Sequence, residues 1–331
     1  MYIRRNLPTS VILWFCAKHL AFFILLSSIV FFMYEMLDWK WVGIPFLPVG
    51  TIGTAVAFYV GFKNNSSYER LWEARKIWGS ITNNCRSFGM LVSSTSMLDK
   101  ETIRALLERQ MAWCNVLRIQ LRSVSNRWSP GWVPREVELV MIKNGRPAAE
   151  TENVEFYTDR LLNEADRETL KSKGNQASEI LRLQVRDITA LEENKTLPEF
   201  ECDRLQKILI SCVDMQGASE RIKNFPFPRQ YAYFSSVFVW IFVCLLPFSL
   251  IHELGKNSHE LTWLVIPCST LISWIFLTME QVGDTSEDPF ENGVNDVPLT
   301  SICRNIEIEL LEMIGEINLP ERIKPIEDIL M

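Results

Sequence analysis

The chain has 331 residues and a net charge of −6, with 48% hydrophobic side chains. That size fits one large or two small domains, and the negative balance gives no footing for nucleic-acid binding. The eight cysteines form no CxxC pair and the three histidines do not cluster, so the pattern excludes a disulfide framework, a zinc site and a triad-type active site. Hydrophobic residues concentrate toward both ends and leave a charged middle.

The first segment is short and basic, with Arg4, Arg5 and Lys18. Between Lys18 and Glu35 runs HLAFFILLSSIVFFMY, about 16 residues, which a snorkelling Lys18 and an interfacial Tyr34 extend to a membrane span. No small-residue cleavage site follows and a second apolar run comes at once, which favours a transmembrane helix over Val11–Met36 against a signal peptide. Trp39 and Trp41 suit the membrane–water interface. From Trp41 to Phe62 there is no charged side chain. That run of about 22 residues crosses roughly 30 Å of hydrocarbon at 1.5 Å per residue. Pro45 and Pro48 sit where a helix tolerates them, in its first turn. Gly50, Gly53, Ala55 and Ala57 make the first half slim enough for close helix contacts. Lys63, Arg70, Arg75, Lys76 and Arg86 follow, so the positive-inside rule places this end, and Met1 with it, in the cytoplasm.

Thr54, Phe58 and Phe62 stand at i, i+4 and i+8 and share one helix face, with the polar Asn65 close to the same line. Copies ringed with this face inward would form a hydrophobic constriction that gates by wetting and dewetting. The same stripe also describes a helix packed against lipid or a neighbouring helix, and periodicity alone does not choose between them. Beyond it, Ser66-x-x-Glu69 has the capping-box pattern and predicts a bend or restart near Asn64 and Asn65. Glu69, Arg70, Glu73, Arg75 and Lys76, interleaved with Trp72 and Trp78, read as a solvated, ion-paired helix face.

The middle reads as helices over Ser67–Thr95, Glu101–Arg122, Asn175–Glu192 and Pro198–Asn224, with a weaker helix over Glu155–Leu170. Asn126–Arg146, rich in Pro and Gly, reads as loop. No phosphate loop, GxSxG elbow or HExxH appears, so no enzyme is expected. Pro226 and Pro228 break the chain before a third span over Tyr231–Ile251, and a fourth follows over Leu261–Met279. Gln281–Pro298 is acidic. Asp284, Glu287 and Asp288 are weak calcium candidates there, lacking the alternating spacing of an EF-hand. Thr300–Ile317 reads as an amphipathic helix. The segments divide as residues 1–62 with two spans (the pore helix at 42–62), 63–229 as a soluble helical region, 230–279 with two more spans, and 280–331 as acidic loop and terminal helix.

Three stretches carry a resemblance. GFKNNSSYERLWEARKIWG after the second span, the Pro-Phe-Pro segment ending at Tyr231, and EDPFENGVNDVPL near the end resemble the bacterial branch of the bestrophin family, in matching order and at matching topological points. The resemblance implies a mainly α integral membrane protein with four transmembrane helices and a cytoplasmic helical bundle, assembled as a homopentamer around one pore. It implies neck positions at Thr54, Phe58 and Phe62, where Thr54 departs from the aliphatic residue usual in the family, and a cytoplasmic aperture at Phe227. Asn65 would line the pore beyond the neck. The family's denser calcium clasp is interrupted here by Ser286 and Pro289, and no metal or other cofactor is expected. The implied partners are further copies of the chain, the lipid bilayer of the cell (plasma/inner) membrane and permeant ions; Lys223 and Arg229 beside the implied aperture, and helix N-termini at Pro45–Gly50, favour chloride and other monovalent anions, while Asp284, Glu287 and Asp288 would pull the other way. A sodium-selective homologue and a non-conducting membrane-anchored binding or signalling protein are the alternatives.

Overall fold

The computed structural model describes residues 1–3, 9–122, 153–225, 227–257, 259–291, 293, 295–325 and 328–330. The loop expected over Asn126–Arg146 lies outside them. Ten α-helices are described: α1 (Thr9–Glu35), α2 (Phe46–Ser94), α3 (Lys100–Arg122), α4 (Val154–Leu161), α5 (Glu164–Lys171), α6 (Gln176–Glu193), α7 (Glu199–Asn224), α8 (Arg229–Asn257), α9 (Val265–Thr285) and α10 (Leu299–Met313). Short 3-10 turns at Lys40–Val42 and His259–Leu264 precede α2 and α9. Among the described residues β-structure is limited to an isolated bridge between Tyr2 and Ile329.

The chain divides into two compact units. The span-bearing unit comprises Arg4–Arg70 and Pro226–Glu287, and the mid-chain unit comprises Met1–Ile3, Leu71–Phe225 and Asp288–Met331. Four segments are long and apolar enough to cross a membrane: Cys16–Glu35, a window within Lys40–Ser94, Arg229–Lys256 and His259–Thr285. In the span-bearing unit, Phe23, Val56, Val60, Val239, Phe242 and Val243 pack together, and a smaller cluster gathers Val30, Tyr34, Val42, Ile251 and Val265. Gly53 permits a close contact of α2 with α8, since a Cβ there would lie 2.5 Å from the Phe242 ring. Ser27 and Ser269 share a buried hydrogen bond of 2.6 Å between α1 and α9, the polar cross-link expected between helices in lipid. Outward, Leu25 is 60% exposed, and Ile24, Ile29 and Phe32 are exposed beside it. Water would penalise such a surface, whereas hydrocarbon solvates it.

The mid-chain unit gathers its apolar side chains into one buried core. Leu107, Trp113 and Leu117 of α3 are wholly buried among α4, α6, α7 and α10. The buried Arg109 is satisfied by Asp166 at 2.6 Å, Asp187 at 2.8 Å and Gln184 at 3.1 Å. Arg86 grips Glu309 through two bonds of 2.6 and 2.7 Å, and these hold the Glu309 carboxyl below its ordinary range. Cys85 and Cys114 touch at 3.4 Å in the core, and burial pushes up the Cys114 thiol and takes Cys303 to about 12. Thiols held protonated in this way serve as small packing groups.

Several boundaries differ from expectation. The helix restart predicted near Asn64 is absent: α2 runs unbroken for 49 residues. Asn65 Nδ2 donates to Glu69 Oε1 at 2.9 Å along the helix surface, so the Ser66–Glu69 pattern does not open a new helix. The fourth span begins with a 3-10 turn and its α-helix continues to Thr285, past the expected end at Met279. The weak helix of Glu155–Leu170 is two helices, because Asn163 caps a second one by accepting from Asp166 N at 2.8 Å. The last helix stops at Met313, where Gly315 takes the left-handed φ of +74° that terminates helices.

Candidate functional site

The site is built from the first half of α2 and the helices beside it in the span-bearing unit. Residues of α2 turn by 100°, so the buried line Gly53, Val56, Val60, Lys63 and Ser67 lies opposite the line Thr54, Phe58, Phe62, Asn65 and Glu69. The second line is exposed throughout, with Phe58 at 66% and Phe62 at 64%. Two large aromatic rings one turn apart therefore stand free of their own chain's packing.

Two devices fix that rotation. Tyr59, next to Phe58, stacks on Tyr231 of α8 with ring centroids 4.2 Å apart and meets Phe238 edge-on at 5.6 Å. Lys63, next to Phe62, is wholly buried, and its ammonium contacts Glu280 at 2.7 Å and also Asp284, both on α9. A buried lysine left unpaired would be prohibitively costly, so the helix cannot turn without breaking this triad. Asn64 continues the seam by donating to the Met279 carbonyl at 2.9 Å. Gly283 makes room for it, since a Cβ there would lie 2.2 Å from Asn64 Oδ1. Further on, Arg70 donates to the Glu287 carbonyl at 2.9 Å, and the buried Glu287 side chain faces Arg229 at 3.4 Å.

The polar groups of the exposed line hydrogen-bond within the helix. Thr54 Oγ1 donates to the Gly50 carbonyl at 3.0 Å, and Asn65 donates to Glu69. What remains on this face is a threonine oxygen, the second hydrogen and the oxygen of the Asn65 amide, and a carboxylate.

The structure brings Thr54, Phe58, Phe62 and Asn65 onto one face. It sets Phe227 differently: that ring is 7% exposed and packs edge-on against Tyr231 at 5.7 Å. Of the calcium candidates, Asp284 is held by Lys63 and Glu287 by Arg229, and Asp288 belongs to the mid-chain unit; among the described residues no group of three or more His, Cys, Asp or Glu is set to hold a metal. Sequence reading did not find the Lys63 triad. Its signal was a lone Lys closing an apolar run, together with carboxylates at 280 and 284, one turn apart on a continuing helix.

A family model described as Bacterial/Fungal Bestrophin protein matches residues 5–312. The voltage-dependent anion channel-forming protein YneE of Escherichia coli K12 is 30% identical over 88% of this chain and 84% of its own length. The voltage-dependent anion channel-forming protein mll4386 of Mesorhizobium japonicum is 29% identical over 85% of this chain and 78% of its own. The crystal structure of a bacterial bestrophin homolog from Klebsiella pneumoniae shares the fold, with a TM-score of 0.77 at 24% identity over 91% of this chain and 99% of that one. With a continuous family match over nearly its whole length, this chain is a membrane protein of the bacterial and fungal bestrophin family.

Proposed function

We propose that the protein is an ion channel that passes small monovalent ions, chloride and other anions foremost, through a pore enclosed by the exposed face of α2. Five copies form the ring, a closed symmetry in which the same face of every copy meets one axis. Phe58 and Phe62, about 6 Å apart along the helix, form the neck. Thr54 stands at its outer end and Asn65 at its inner end. Phe227 forms a second, cytoplasmic constriction when its ring leaves Tyr231. The mid-chain unit is a cytoplasmic helical bundle, both termini lie in the cytoplasm, and the membrane is the cell's inner one.

The observation that carries this reading is the exposure of the Phe58 and Phe62 rings while the opposite side of α2 is held by a buried triad. Lipid-facing rings would not require so costly a device to set their angle. The relatives named as anion channel-forming supply the choice of ion. The test is flux through purified protein in liposomes under chloride and sodium gradients. Replacing Phe58 and Phe62 together by Ala should raise conductance or open probability severalfold, because a wider, less apolar neck wets more readily. Unchanged current in the double variant would remove the neck assignment.

A further inference from the structure

The exposed line of α2 does not end at the neck. Seven residues past Phe62, about 10 Å along the axis, it reaches Glu69. This carboxylate is exposed, and its hydrogen-bond partner is the neutral amide of Asn65 at 2.9 Å. The cations nearest in sequence are committed elsewhere: Lys63 to Glu280 and Asp284, and Arg70 to the Glu287 carbonyl. Nothing in the described ion pairs neutralises Glu69, whereas the exposed Glu73 is paired with Arg221 at 2.9 Å.

Resting on the pore reading above, we propose that Glu69 is a selectivity-setting residue, a ring of carboxylates at the inner mouth of the neck that draws cations in and holds the chloride preference down. Three independent features favour this. Glu69 lies on the line of the neck rings. Asn65, the polar residue between, gives one of its two amide hydrogens to Glu69. Thr54, beyond the other end of the neck, likewise spends its hydroxyl proton on the Gly50 carbonyl. An uncharged neck sets no fixed cation beside a passing anion, and a ring of like charges at a low-dielectric constriction concentrates counter-ions.

The experiment measures reversal potentials under a sodium chloride gradient for wild type, Glu69→Gln and Glu69→Asp. Glu69→Gln keeps size and the bond to Asn65 while removing the charge, and it should raise the chloride-to-sodium permeability ratio by about threefold or more near 0.1 M salt. Glu69→Asp should stay close to wild type. The shift should shrink at 1 M salt, where the screening length falls to about 3 Å, a dependence that a merely structural role would not produce. An unchanged ratio in Glu69→Gln, with current still responsive to the Phe58 and Phe62 substitutions, would overturn this proposal and leave the pore standing. Absence of any flux through wild type would overturn both.

Discussion

In the mid-chain unit Leu107 and Trp113 are wholly buried, and the buried arginine Arg109 is ringed by carboxylates and an amide. In the span-bearing unit Leu25 and Phe32 are exposed, and the wholly buried long side chain is a lysine. The two units obey one rule against different solvents. Where water surrounds the protein, burying apolar area drives folding. Where lipid does, apolar area gains nothing by turning inward, and specificity comes from close small-residue contacts, hydroxyl pairs and buried charge. Gly53 on Phe242, Ser27 on Ser269 and Lys63 on Glu280 are those three devices.

Substitutions can break or sharpen that contrast. The largest effect should come from Lys63→Met. It leaves Glu280 buried beside Asp284 with no cation, a loss of about 3–5 kcal/mol. Denaturation in detergent should show it, and Lys63→Met combined with Glu280→Met should recover part of the loss. Full stability in the single variant would mean that the triad does not hold α2.

Next, the same chemical change should diverge between units. Leu107→Ala empties a packed core and should cost about 2–5 kcal/mol. Leu25→Ala, on the exposed side of α1, should stay within about 0.5 kcal/mol. Equal losses would contradict the assignment of the two solvents.

A smaller effect concerns pH in the mid-chain unit. Burial pushes the Asp296 carboxyl up to about 7, although the Gly293 amide donates to it at 2.7 Å. A carboxyl that holds its proton more tightly when folded costs stability as pH rises from its unfolded value of 3.8 to about 7, and the cost is complete above that. Asp296→Asn keeps the acceptor for Gly293 and should flatten this decline. Thermal midpoints of variant and wild type should agree near pH 4 and separate toward pH 8, with the variant higher. A constant difference across that range would show that Asp296 is not the titrating group.

Much of this architecture was legible in the chain. Apolar run lengths marked four spans, because crossing hydrocarbon sets a length that few other structures need. The i, i+4 spacing put Phe58 and Phe62 on one face, but exposure needed the structure, since a helix's rotation is set by contacts distant in sequence. The triad was missed for that reason: the span was expected to end at Met279 and Asp284 was read within the acidic loop, because charge normally ends a span, whereas Glu280 and Asp284 pair with Lys63 on a helix that continues to Thr285. Phe227 shows the converse. The family resemblance placed it at a cytoplasmic constriction, and within one chain its ring rests on Tyr231. Local pattern reads the element, while partners on other helices decide which way a side chain faces.

The central claim is that Phe58 faces a water-filled route for ions. Its most direct test is Phe58→Cys in a background where the exposed Cys268 is replaced by Ser. Current through proteoliposomes is followed while a charged, membrane-impermeant thiol reagent is added, with Phe32→Cys as the lipid-facing control. Current through Phe58→Cys should change within the reagent's reaction time while Phe32→Cys is unaffected. A Phe58→Cys channel that keeps its current and its unreacted thiol would contradict it.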